Sequence, residues 1–136
     1  MIDSRMLHFL PLGGTLVDLG CGDGNALDEL ASRYDGLIGV DVSRKRLERR
    51  GTGSPSWRFV EADMNDGIPL NSESVDAALA NQVIEHVLDP IGWAREVNRI
   101  LRPGGVFVLA TPNVRYVRTL ARILVTGTRP RTGGHE

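Results

Sequence analysis

The groups in this chain with the clearest chemistry are a carboxylate, three alternating glycines and a second carboxylate. Asp18 stands inside the apolar run Leu16-Val17-Asp18-Leu19, and Gly20, Gly22 and Gly24 follow at every second position. An apolar strand feeding a glycine-rich turn that opens a helix is the geometry of nucleotide-type ligand sites in parallel sheets. Glycine lets the backbone take positive φ and lets a ligand lie against it with no side chain between. The spacing is G-x-G-x-G, not the G-x-G-x-x-G of dinucleotide sites. A carboxylate at Asp18 repels a pyrophosphate and suits a ligand that carries an amino group. Asp41, 21 residues beyond Gly20, ends a second apolar run. It can accept two hydrogen bonds from vicinal ribose hydroxyls. Its other reading is a solvent-facing acid or a cap near Ser43.

Alternating elements are expected to hold these groups. Segments 15–19, 36–41, 56–60, 74–80 and 106–111 read as strands. Segments 25–33, 43 through about 50, 89–101 and 112 through about 125 read as helices, the third opened by Asp89 as cap and Pro90 at the first helical position. Pro103-Gly104-Gly105 reads as the break before the last strand. Such alternation implies an α/β fold, a mostly parallel sheet covered on both faces. The switch-point rule then places a ligand at the carboxyl ends of the strands, near the first one.

Bulk properties narrow the classes. A length of 136 residues with 41% hydrophobic content allows one domain with a real core. The expected boundaries are a folded domain over 1–126 and a polar, disordered tail over 127–136. A net charge of −1 supplies no global field to recruit nucleic acid or a membrane. No apolar run approaches the ~20 residues that span a bilayer. The first twelve residues lack a signal-peptide pattern. A single cysteine, Cys21, excludes an internal disulfide and fits a reducing, cytoplasmic setting. Between two motif glycines it reads as a small filler, with a catalytic thiol as the alternative.

The segment from Val17 to Gly24 resembles the first motif of class I S-adenosylmethionine-dependent methyltransferases, apolar-apolar-acid-apolar-G-x-G-x-G. Two later segments resemble small-molecule methyltransferases of the quinone-biosynthesis type. Glu85-His86 with Asp89-Pro90 matches E-H-x-x-D-P, and Leu101 with Pro103-Gly104-Gly105 matches L-x-P-G-G. The matched segments run in the family's order over 17–111. The resemblance implies a three-layer Rossmann-like sandwich with strand order 3-2-1-4-5. It implies S-adenosylmethionine as cofactor, S-adenosylhomocysteine as product and a small-molecule methyl acceptor. Asp18, Gly20, Gly22 and Gly24 would line the methionine end of the cofactor. Asp63 would bond the adenine amino group and Met64 pack on the ring. Cys21, Val42, Ala62, Asn81 and Gln82 complete the expected cofactor-binding set.

His86 has two readings. It is either a general base, whose reference pKa of about 6.5 suits taking a proton from a hydroxyl, or a residue that packs the loop beside Asp89. Related enzymes that bind a divalent metal here carry E-x-x-E-H, and this chain has Gln82 at the first position. No metal is expected, because Glu85 and His86 alone do not make a hard-cation site. The last helix would carry Arg115, Arg118 and Arg122 on one face and Val114, Val117, Ala121 and Leu124 on another. Family members continue the sheet past the fifth strand, so this chain reads as a fragment or as one whose fifth strand self-associates through an apolar edge. A non-catalytic cofactor-binding module and a nicotinamide-dependent oxidoreductase are the competing functional readings. The G-x-G-x-G spacing and Asp18 argue against the second of these.

Overall fold

The computed structural model describes residue 2 and residues 4–48 and 56–111. The expected last helix and the tail over 127–136 lie outside the described residues. Chain order is α1 (Ser4–Phe9), β1 (Thr15–Leu19), α2 (Asn25–Leu30), β2 (Gly36–Asp41), α3 (Arg44–Glu48), β3 (Arg58–Glu61), β4 (Val75–Asn81), α4 (Pro90–Ile100) and β5 (Leu101–Ala110). Single 3-10 turns cover Met64–Asp66 and Ile84–His86.

The five strands form one parallel sheet in the order β3-β2-β1-β4-β5. The order reverses between β1 and β4, so the crevice at a topological switch point opens above the end of β1. Alternation along β1 divides the core. Leu16 belongs to a cluster with Met6, Leu27, Leu30 and Trp57, on the face covered by α1 and α2. Val17 and Leu19 belong to a cluster with Trp93, Val97 and Ile100, on the face covered by α4. The near-continuous apolar strands are those of a sheet buried on both sides. Arg99 fastens α4 to the segment that leads into β4. Its guanidinium donates to the Leu70 and Ile68 carbonyls at 2.8 Å each and pairs with Glu96.

Several boundaries differ from the sequence reading, each for a local reason. The helix α2 ends at Leu30 rather than Arg33. Arg33 N donates to Leu30 O and its own carbonyl is taken by Gly13 N at 2.8 Å, so the last turn tightens and stops. β3 starts at Arg58, not Ser56, because Trp57 is turned into the core and ladder pairing begins at Ile38–Arg58. The break at Pro103-Gly104-Gly105 is a wide bulge inside β5. Val75 pairs with Leu101 and Ala77 next pairs with Val106. Arg102 closes the bulge by donating to Asp76 Oδ2 at 2.7 Å and to Glu73 O at 3.2 Å. The helix α1 has no counterpart in the sequence reading. Asp89 caps α4 as expected, accepting from Gly92 N at 3.0 Å.

Candidate functional site

The glycine turn leaves the end of β1 and enters α2. Gly20, Gly22 and Gly24 have φ of 79°, 56° and 80°, the left-handed region that side chains rarely adopt. The chain reverses here because Gly20 N and Cys21 N both donate to Val40 O, at 2.7 and 3.0 Å, which stitches the turn to β2. Gly24 takes the N-cap position of α2. A methyl group at Gly24 would overlap the indole ring of Trp57. Trp57 is 5% exposed, and its Nε1 donates to Asp28 Oδ1 in α2 at 3.1 Å. The ring is thus a floor under the turn, pinned to the helix that the turn opens.

Two carboxylates sit at this end of the sheet, almost out of water. Asp18 is 4% exposed and Asp41 is 6% exposed. Burial, and then the charge of Asp41, push the Asp18 carboxyl up to about 7. The Asp41 carboxylate divides its oxygens, with Oδ2 accepting from Gly22 N and Oδ1 from Ser43 N, both at 2.9 Å. It therefore grips the middle glycine of the turn from the end of β2. Each carboxylate oxygen has two acceptor positions, so these bonds leave capacity for a diol. Cys21 is buried, and desolvation and then the Asp18 and Asp41 charges push its thiol well above the ordinary range. That supports the filler reading, since the thiolate is the nucleophilic form.

The other expected residues gather around the same strand ends. Val42 follows β2 and is exposed. Ala62 follows β3, and its N–H donates to Asp41 O at 3.0 Å. Asp63 is exposed, opens the turn Met64–Asp66 and accepts from Asn65 N at 2.9 Å. Met64 is half-buried beside it. Asn81 ends β4, and Gln82 after it has φ 57°, an uncommon conformation outside glycine, with its N–H donating to Ala110 O at 2.8 Å. Glu85 and His86 are exposed on the turn Ile84–His86. Among the described residues no three His, Cys, Asp or Glu side chains group as a metal site would require. Two open clefts, of about 270 and 390 Å³, lie at the opposite end of the sheet around Arg102–Gly105. The acids and glycines are not part of either. The sequence reading missed Trp57, whose only signal was its size, and Asn65, which had none.

The methyltransferase domain family matches residues 17–109, the span that holds all of these groups. The chain belongs to that family. Its strand order and glycine turn are those of the class I S-adenosylmethionine-dependent methyltransferases. A "Probable S-adenosylmethionine-dependent methyltransferase" of Mycolicibacterium smegmatis is 34% identical over 105 residues, covering 74% of this chain and 39% of the relative. A trans-aconitate 2-methyltransferase of Rhizobium leguminosarum is 35% identical over 99 residues, covering 71% and 38%. The crystal structure of an S-adenosylmethionine-dependent methyltransferase from Mesorhizobium loti superposes with a TM-score of 0.72 at 29% identity, covering 79% of this chain and 51% of that one. This methyltransferase-family chain therefore spans about two fifths of the length of these curated relatives.

Two predictions test the geometry. Gly24→Ala forces an L residue into left-handed backbone and a methyl into the Trp57 ring, so it destabilises the fold by about 2–4 kcal/mol in urea unfolding. Asp18 keeps its proton in the folded chain to about pH 7 and releases it near 3.8 when unfolded. The folded state thus binds more protons between those values, and stability falls as pH rises through that window. Asp18→Asn removes this loss. The variant gains stability over the parent by a few kcal/mol, as an order of magnitude, on going from pH 4 to pH 8. Parallel unfolding curves at the two pH values read the difference.

Proposed function

We propose that this chain binds S-adenosylmethionine at the carboxyl ends of β1, β2 and β3, and that the protein transfers the cofactor's methyl group to a small-molecule acceptor. One observation carries the reading: two buried carboxylates flank a turn of three positive-φ glycines, beside the switch point of the sheet. The residues suit the cofactor. At Gly22 the side-chain direction is open, with Arg46 Nη1 3.8 Å from where a Cβ would stand, whereas those of Gly20 and Gly24 are filled by Val83 and Trp57. Asp41 has acceptor capacity for ribose hydroxyls, and the ammonium group of the amino-acid end favours the ionised form of Asp18 and pairs with it. Asp63, exposed after β3, accepts from the adenine amino group, with Met64 and Ala62 against the ring. Cys21, Val42, Asn81 and Gln82 complete the lining.

The bound cofactor supplies a methyl group already activated by its sulfonium. What the protein adds is alignment and exclusion of water. The glycine turn and Asp41 orient the cofactor, and Gln82 and the loop after β4 face the acceptor side. We assign His86 the acceptor's proton, with an acceptor oxygen as the nucleophile. The trans-aconitate relative acts, by its name, on a small carboxylic acid, which supports a small-molecule acceptor. Among the described residues no helix is long and apolar enough to cross a membrane. A cytoplasmic setting fits the free Cys21.

Calorimetric titration with S-adenosylhomocysteine, with NAD as control, tests the reading. The expected result is binding of one S-adenosylhomocysteine per chain and none of NAD. Binding of NAD, or of neither ligand by a folded sample, overturns it.

A further inference from the structure

One side chain joins the loop after β3 to the loop after β4. Asn65, in the middle of the turn Met64–Asp66, donates through Nδ2 to Asp63 Oδ1 at 3.0 Å. Its backbone N–H donates to the same oxygen at 2.9 Å. Its own Oδ1 accepts the backbone N–H of Leu88 at 2.9 Å, across 23 residues of sequence. A carboxamide of this size performs both tasks at once, because it carries a donor for the carboxylate and an acceptor for the N–H. Aspartate in its place has no donor and sets a second negative charge against Asp63. Alanine has neither group.

Leu88 is two residues past His86 and one before Asp89, the cap of α4. At the start of this loop Gln82 N donates to Ala110 O at 2.8 Å and the buried Val83 packs against Gly20. Around His86 the backbone bonds are local, His86 N to Val83 O at 2.9 Å and Val87 N to Ile84 O at 3.2 Å. The Asn65–Leu88 bond adds a tie at the far end of the loop, and its other end is the Asp63 carboxylate.

We propose that Asn65 is a positioning residue that couples occupancy of the adenine end of the site to the placement of the loop carrying Glu85 and His86. The inference rests on the reading of Asp63 as the acceptor for the adenine amino group. A ligand that donates to Asp63 engages a carboxylate already held by Asn65. A ligand that donates to Asp63 fixes the orientation of the carboxylate to which Asn65 donates, so Asn65 is held more narrowly and the Asn65–Leu88 bond opens less often with the cofactor in place than without it. Filling the adenine end thereby sets His86 before an acceptor arrives.

Amide hydrogen exchange on the full chain tests this, with the parent, Asn65→Ala and Asn65→Asp each measured with and without S-adenosylhomocysteine. Asn65 is exposed, so both variants keep the parent's melting behaviour, and the isosteric Asn65→Asp decides if the alanine variant does not fold. In the parent, ligand slows exchange at the Leu88 amide by about fivefold or more, the scale of a modest coupling between sites. In ligand-saturated variants that slowing is lost, while slowing at the Gly20–Gly24 turn is retained. Slowing at Leu88 that persists in the variants, or that is missing in a parent that binds the ligand, overturns the coupling alone. A folded parent that does not bind S-adenosylhomocysteine overturns the cofactor reading, and the coupling falls with it.

Discussion

Two carboxylates taken out of water at the end of one sheet set the terms for the rest of this structure. Removing a carboxylate from water is costly unless hydrogen bonds or opposite charges offset it. Asp41 is compensated by the N–H groups of Gly22 and Ser43. Asp18 bears both its own burial and the charge of Asp41, which is why it holds its proton to about pH 7. A fold selected for stability alone would place an apolar residue there, as the flanking Val17 and Leu19 do. Retaining the acid there fits the proposed cofactor site, because acids held out of water are concentrated where ligands bind.

The surrounding elements follow from keeping those acids in place. Asp18 needs β1 at the centre of the sheet, with β2 and β4 on either side, and the strand order supplies that. Asp41 needs the glycine turn at bonding distance, and Gly20 and Cys21 secure it by sharing the Val40 carbonyl. The turn needs a rigid floor, and the Trp57 ring under Gly24 provides it, held by Asp28. Trp57 in turn belongs to the segment entering β3, so three strand ends and one helix are fixed against one another. The proposed acceptor side is built differently. It is a short turn at Ile84–His86 on exposed chain, tied back through Asn65 to the loop after β3.

Much of this was legible in the sequence because it is written in local pattern. The bounds of β1 and β2 follow from apolar runs ended by glycine or acid, and Asp89-Pro90 announces the start of α4 through capping chemistry that needs no tertiary context. The glycine spacing located the turn and, with the later motifs, the family. What was not legible depends on partners distant in sequence. Nothing around Trp57 says that its ring will lie beneath a turn more than thirty residues earlier. Nothing around Asn65 says that Leu88 will donate to it. The bulge at Arg102–Gly105 looked like a simple break because its closing bond to Asp76 crosses from another strand. The short helix α1 is held by packing of Met6 on the core, with Leu10 just past its end, rather than by a periodic pattern of its own.

The role proposed for the buried acid pair is to receive a cationic, nucleoside-linked ligand. The most direct measurement is a carbon-13 NMR titration of the Asp18 carboxyl group, with and without saturating S-adenosylhomocysteine. Asp18 in the free chain is expected to titrate at about pH 7. The ligand's ammonium group, favouring the ionised carboxylate, is expected to move that titration to distinctly lower pH. A free-chain titration in the ordinary carboxylate range would contradict the account, and so would a titration that the bound ligand leaves unmoved.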